Sequence, residues 1–529
     1  MLSLGVFVLL SLAHTWPLAA APSHWARTDP GDGAFNIWVL NWVGHMLVHP
    51  SRLFDANIFY PERLTLAYSE AMIVQGALAM PLVAAGRSPV LVYNITLLAG
   101  MALTGWAFCL LVRRWTGSWS AGFVAGSLAA FNAFSLANLT HLQFQHVGFM
   151  AVLLFVLDRV LAANRKRDMT LLGVAFALQA LTSIYTMVFA VWMLLFAALA
   201  RITEWARRAP LVTLSRLAGA AAIAGVLLFP YLLQYWRVHD ATGFVREAAD
   251  AQAAGLTDFL ATAARVHYEA WSKPYLQAST VAAFPGAIAT GLLLFAVSRR
   301  ENLSNPRLRM CLAAAIGCTL VAFAPTLPLY PLLHSTIALF QMVRALSNIA
   351  QVVLLMVAIL AGFGVASLQG IWPHSRSWPL VAFILMMAVN AEATRAPMGY
   401  VWFDGVPAVY DVLAREPAAV VVELPFPLPQ QWFLNTPYMV NSTRHWRPLL
   451  NGYSGFRPAS YYEHYDLMRK FPSDEAILTL LGEGVTHVVV HQRDMNNGAP
   501  DDRYDPFEKV GALQLVTRDN DILIYRLRR

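Results

Sequence analysis

Over the first three quarters of the chain, apolar runs alternate with short polar connections rich in arginine. The runs cover about residues 2–21, 89–112, 117–137, 147–163, 169–183, 186–200, 211–234, 279–298, 308–325, 348–368 and 378–395. Runs of this length read as membrane-crossing helices, so the pattern predicts eleven crossings. A further apolar stretch, EAMIVQGALAMPLVAAG (70–86), has only seventeen residues and contains Pro81, which makes it a poor spanning helix.

The cations decide where that stretch belongs. If 70–86 stays out of the bilayer, Arg113/Arg114, Arg165/Lys166/Arg167, Arg201/Arg207/Arg208 and Arg299/Arg300/Arg307/Arg309 all fall on the side of the N-terminus, as the positive-inside bias requires. The expected map therefore has a cytoplasmic N-terminus, with 70–86 a juxtamembrane or re-entrant helix on the outer face. The first run ends in PLAAAPSHW, which imitates a signal-peptidase site. It lacks a basic n-region, however, and is read as a retained helix. Residues 1–396 form the expected transmembrane domain, with outer loops at 23–88, 138–146, 237–278 and 326–346.

From residue 397 on, the chain changes character and charges become frequent. AVVVELPF, THVVVH and LQLVTRDNDILIYRL read as strands, the last folding into a hairpin around Asp519 and Asn520. SDEAILTLLGEG reads as a capped helix closing at a glycine. The expectation is an α-helical polytopic membrane protein carrying a small extracytoplasmic α/β domain at 397–529. That domain has no nucleotide-binding glycine loop. Its stretch RPLLNGYSGFRP (447–458) suits a sugar-handling loop, although the same composition serves a plain surface loop.

Composition agrees with the pattern: 57% of the 529 residues are hydrophobic and 13% charged, with mean hydropathy +0.50. These values lie outside the soluble range. The net charge of +7 comes from loop clusters that set orientation, so it does not imply a nucleic-acid partner. Cys109, Cys311 and Cys318 all lie in apolar runs and offer neither a disulfide framework nor a Cys-x-x-Cys zinc site.

The first outer loop carries the chemistry. It runs DPGDGAFNIWVLNWVGHMLVHPSRLFDANIFYPERLTLAYSEAM: an acidic turn, an aromatic helix, a proline-bounded loop, then a second helix starting at Ser69–Glu70. This order resembles the first outer loop of the GT-C superfamily of membrane glycosyltransferases, which includes protein O-mannosyltransferases, oligosaccharyltransferases and aminoarabinose transferases. The local pattern over 29–70 and 131–163 looks like a bacterial branch of it.

The resemblance implies an inverting enzyme of the plasma (inner) membrane. Its donor is a polyprenyl-phosphate-linked sugar, and its acceptor a lipid, glycan or protein on the extracytoplasmic face. In those families a carboxylate after the first crossing opens a juxtamembrane helix and acts as catalytic base or metal ligand. Asp32 matches it by position, with Asp29 as the less favoured neighbour. The resemblance also places Glu70 near a family glutamate. The second outer loop, NLTHLQFQH, stands where many relatives carry another acid, and here it offers His141, Gln143 and His146 instead.

Transfer of a sugar to a hydroxyl needs a base near the acceptor proton and a group that stabilises the departing phosphate. Asp32 is placed for the first role, although an aspartate here also serves as an N-cap. Asp29, before Pro30, fits a turn. For the phosphate, the candidates are Glu70, His141, Gln143, His146, Arg246 with Arg237 in RVHDATGFVREAAD, and Arg344, an arginine on the face where the bias disfavours one. A divalent ion, magnesium or manganese, is the expected cofactor, with Asp32, His141 and His146 as its candidate ligands. Two other classes remain open. A lipid or polysaccharide transporter or flippase would be expected to show inverted repeats, and none are visible. A non-catalytic envelope-assembly scaffold would explain the missing second acid.

Overall fold

In the computed structural model, residues 2–27, 31–243, 246–371, 376–495 and 507–528 are described. Their contacts divide the chain into two units. One comprises Met1–Ala21, Ile95–Leu233 and His239–Gly399; the other comprises Pro22–Asn94, Gln234–Val238 and Tyr400–Arg529. The first outer loop thus clusters with the segment after residue 400, a grouping that cuts across the boundary expected at 397.

Every one of the eleven apolar runs carries a helix. Among the described residues, five helical stretches are long and apolar enough to cross a membrane: Pro89–Thr116, Trp119–Ala137, Pro210–Thr242, Pro306–Thr326 and Leu346–Ile371. A sixth is reached if Ile184–Leu199 and Ile202–Arg208, bent by 68°, count as one span. Others are shorter than expected. Ala287–Ser298 has 12 residues, about 18 Å of helix against a hydrocarbon core of about 30 Å. The stretch 70–86 carries only Ile73–Ala84, with Pro81 inside it. That helix starts three residues later than expected, because Met72 takes a left-handed φ of 47°.

The larger unit is built around Ala350–Ile371, which packs against Ala287–Ser298, Trp119–Ala130 and Pro306–Phe323. Small residues permit the approach: a Cβ on Gly364 would overlap the Leu292 carbonyl. Pro210–Thr242 is the opposite case. Only 22% of its apolar window is buried, and Val226, Leu227, Phe229 and Trp236 lie exposed along it, as on a lipid-facing helix.

Among the cations assigned to the positive side, Arg201, Arg307 and Arg309 prove to be ion-paired between elements. Asp158 lies within Gly148–Ala163 and holds Arg201 at 2.6 Å and Arg307 at 2.9 Å. Glu204 pairs with Arg201 and Arg309. Arginines counted in the sequence as orientation signals therefore also fasten helices together.

In the smaller unit, the expected strands form one sheet. Val421–Leu424 runs parallel to His487–His491, which pairs antiparallel with Ile522–Leu527 and, through it, with Leu513–Asp519. The hairpin turns at Asn520, in the left-handed region at φ 49°. The expected helix is Asp474–Gly482, capped by Ser473 and followed by Gly484 at φ 88°. One pairing was not anticipated: Trp25–Ala26 with Val401–Trp402.

Candidate active site

The helix Asp32–Met46 carries the first candidate. Gly31 takes the cap position and Asp32 the first helical one, so Asp32 is not the N-cap its sequence context suggests. Its carboxylate stands in the helix dipole at the end that favours negative charge. Twelve of the fifteen helix residues are buried. Phe35, Trp38 and Trp42 follow at three- and four-residue spacing and stack in turn, with centroids 6.0 and 6.2 Å apart. Trp38 donates to Asn57 Oδ1 and Trp42 to the Leu53 carbonyl. These bonds lock the helix to the loop that follows it.

Asp32 is half-buried, and the Tyr453 hydroxyl donates to its Oδ1 at 2.9 Å. Tyr453 belongs to the RPLLNGYSGFRP stretch, which is not a plain surface loop. Asn451, Gly452 and Ser454 are buried. A Cβ on Gly452 would lie 2.6 Å from the Phe59 ring, and one on Gly455 would lie 2.7 Å from the Tyr68 carbonyl oxygen. The glycines are required by these approaches, and through them the stretch packs on the first outer loop.

Glu70 is half-buried and precedes the second helix rather than opening it. The residues on either side of it are tied to one hydroxyl: Tyr235 donates to the Ser69 carbonyl at 2.9 Å and accepts from the Ala71 amide at 3.2 Å. Beside Tyr235, whose ring meets Phe54 edge-on, opens a cleft of about 410 Å³. Ser51, Phe54, Asp55, Arg63, Gln234 and Arg237 are among its lining residues. Arg63 pairs with Asp55 at 2.9 Å, and Arg237 donates to Gln234 at 3.4 Å. Burial works to raise the Asp55 carboxyl, but the hydrogen bonds from Arg63 and the Leu64 amide, with the charges of Arg63 and Arg52, hold it below its ordinary range. The sequence singles out Arg246 and Arg344 for phosphate, and offers Arg237 in the same stretch as Arg246. The cleft instead brings Arg63 and Arg237 together, and the proximity of two arginines so far apart in the chain leaves no sequence signal.

The second-loop residues lie in the larger unit. His146 is buried, donates from Nε2 to the Thr96 carbonyl at 3.1 Å and packs on Gly100. Burial lowers its pKa to about 4, so it is neutral at pH 7 and offers a phosphate no charge. Gln143 is also buried, whereas His141 is half-buried beside Thr140. Asn138 lines a smaller cleft of about 200 Å³ with Ser279, Thr280 and Asn348, which joins the second outer loop to the third and to the end of the fourth. Gln252 and Arg344 are linked through their backbones. The Arg344 side chain is exposed and pairs with no carboxylate among the described residues. Arg246 is half-buried in the third loop.

Asp29 lies outside the described residues. Among the described residues, no three His, Cys, Asp or Glu side chains gather in a group that could hold a metal ion.

No family model and no curated protein matches the chain. Among solved structures it is similar to ArnT from Cupriavidus metallidurans bound to undecaprenyl phosphate, with TM-score 0.49 and 12% identity over 99% of this chain and 97% of that one. It is also similar to the oligosaccharyltransferase AglB from Archaeoglobus fulgidus in complex with an inhibitory peptide and a dolichol-phosphate, with TM-score 0.45 and 13% identity over 93% of this chain and 69% of that one. These neighbours are GT-C glycosyltransferases. At such identities and scores they transfer no residue role to this chain.

Proposed function

We propose that the protein is an inverting membrane glycosyltransferase that takes a sugar from a polyprenyl-phosphate carrier to an acceptor hydroxyl on the extracytoplasmic face. The donor class follows from the sequence resemblance. The observation that carries the reading is the smaller unit itself. It contains a half-buried carboxylate, Asp32, oriented by a hydrogen bond, and a cleft bearing Arg63 and Arg237 at the end of a helix whose apolar flank is exposed.

In the proposed step, Asp32 accepts the acceptor hydroxyl proton as that oxygen bonds to the anomeric carbon. The bond from that carbon to the phosphate oxygen breaks on the opposite face, and its electron pair leaves with the lipid phosphate. Arg63 and Arg237 neutralise the charge that develops there, a task to which the guanidinium fork is well matched. A transport reading would draw on ionisable groups inside the crossings, but Asp158 there is held by Arg201 and Arg307, an arrangement that fastens helices.

The test is turnover by the full chain in lipid nanodiscs against a panel of undecaprenyl-phosphate-linked sugars, read as release of undecaprenyl phosphate. Wild-type protein is expected to turn over at least one of them. Asp32→Asn, which is nearly isosteric, is expected to lower the rate by about a hundredfold or more. Wild-type inactivity on the whole panel, or a near-normal rate for Asp32→Asn, would overturn the reading.

A further inference from the structure

The group that orients Asp32 comes from a part of the chain 421 residues away. We infer that Tyr453 is a positioning residue for the Asp32 carboxylate, an inference that rests on the catalytic role proposed for Asp32. An ionised carboxylate has no proton to give, so the phenol is the donor in this bond. One oxygen of Asp32 is thereby tied to a fixed point, and the carboxylate plane keeps one rotation about its terminal torsion, which is otherwise broad and soft.

Tyr453 is itself held from several sides. Its ring meets Trp432 edge-on at 4.9 Å and Phe35 at 5.5 Å. Its hydroxyl oxygen would stand 3.3 Å from a Cβ placed on Gly31, so the helix start fits directly beneath it. The backbone on its N-terminal side is clamped by two buried asparagines. Asn451 accepts from the Glu423 amide at 2.8 Å and donates to the Glu423 carbonyl at 3.0 Å and to Asn435 Oδ1 at 2.9 Å. Asn435 donates to the Gly452 carbonyl at 3.1 Å and to the Tyr461 hydroxyl at 2.9 Å. Glu423 lies on Val421–Leu424, the strand at one edge of the sheet, so the clamp runs from a β-strand through two side-chain amides to the residue before Tyr453. A tyrosine fixed in this way has little rotamer freedom left to lose when it donates, which is the condition for preorganisation.

A ring needed only for packing would tolerate loss of its oxygen, whereas a positioning donor would not. The discriminating variant is Tyr453→Phe, which keeps the ring contacts with Trp432 and Phe35 and removes only the hydroxyl. Its rate is read as kcat and KM for release of undecaprenyl phosphate from whichever panel donor the wild type accepts, in the full chain in nanodiscs, and its folding as the melting temperature in detergent. The expected result is a kcat lowered by roughly tenfold, the scale of one hydrogen bond to a charged group, with donor KM within about twofold of wild type and unchanged melting.

The same substitution in the Asp32→Asn background is expected to have almost no further effect on kcat, because the two residues act as one unit. A wild-type kcat for Tyr453→Phe alongside a crippled Asp32→Asn overturns the inference and leaves the proposed function standing. An equal loss in both backgrounds also overturns it, since Tyr453 would then act independently of Asp32. A near-normal rate for Asp32→Asn removes the proposed function instead.

Discussion

The Asp158 carboxylate meets the Arg201 guanidinium at 2.6 Å, with side chains only 7% and 4% exposed. Arg307 reaches the other carboxylate oxygen at 2.9 Å. Two helices and the break between Ile184–Leu199 and Ile202–Arg208 are thus fastened at one acid. Removing it leaves Arg201 buried beside a second arginine, with Glu204 as its remaining partner. Asp158→Ala is therefore expected to destabilise the protein by about 3–5 kcal/mol, the range for breaking a buried pair from one side. Thermal unfolding in detergent checks this. A melting temperature within about a degree of wild type would show that the pair contributes nothing net.

Arg237 and Arg63 differ in how they are held, and this predicts different losses. Arg63 is paired with Asp55, whereas among the described residues Arg237 donates to the neutral side chain of Gln234 and pairs with no carboxylate. Arg237→Gln is expected to raise the donor KM by roughly tenfold or more, as loss of a charge-assisted bond implies. Arg63→Gln is expected to do less, because part of its charge is already compensated. Steady-state kinetics across a range of donor concentrations distinguish the two. The reverse order would mean that the donor phosphate lies on the Asp55 side of the cleft.

The sheet region contains two histidines with opposite pH behaviour. His491 donates to Glu423 at 2.6 Å. Burial works to lower its pKa, but the bond to Glu423 and the charges of Glu423, Asp494 and Asp521 outweigh that and raise it. Its contribution to stability is therefore complete below the ordinary histidine value of about 6.5 and is lost as pH rises through the higher folded value. His445 is pushed down to about 3, by burial first and then by the Arg447 charge. It must stay neutral, so its contribution is lost as pH falls from about 6.5 toward 3. Melting is expected to peak near neutrality and fall on both sides. His491→Gln, which keeps a neutral donor, is expected to abolish the alkaline fall and leave the acid one. An unchanged alkaline limb in that variant would remove His491 as its cause.

Helix positions were legible because lipid demands long apolar runs, and the strands because β-branched runs are bounded by turn residues. Helix lengths were not. The 70–86 stretch looks helical from Ser69, but the left-handed turn at Met72 delays the start, and apolarity alone does not reveal it. The place of Asp32 at the start of the aromatic helix was readable from its local context. Tyr453 as its partner was not, since a contact across 421 residues has no local pattern. His146 shows the converse limit. A polar residue in an expected outer loop invites a functional role, and only the packing of Gly100 and the Thr96 carbonyl around it shows that it is enclosed. The order of strands in the sheet was likewise beyond reach, because the parallel pair of Val421–Leu424 and His487–His491 is made by residues more than sixty positions apart.

The bond between Asp32 and Tyr453 also sets a timetable for the nascent chain. The first outer loop emerges early, yet the tyrosine that completes its carboxylate follows 421 residues later. At about 5–20 residues per second, that interval is on the order of half a minute. Throughout it, the aromatic helix lacks the Tyr453 and Trp446 side chains that later cover it. A newly inserted chain therefore lacks the hydroxyl that holds Asp32 until synthesis has passed the sheet's first strand and the loop beyond it.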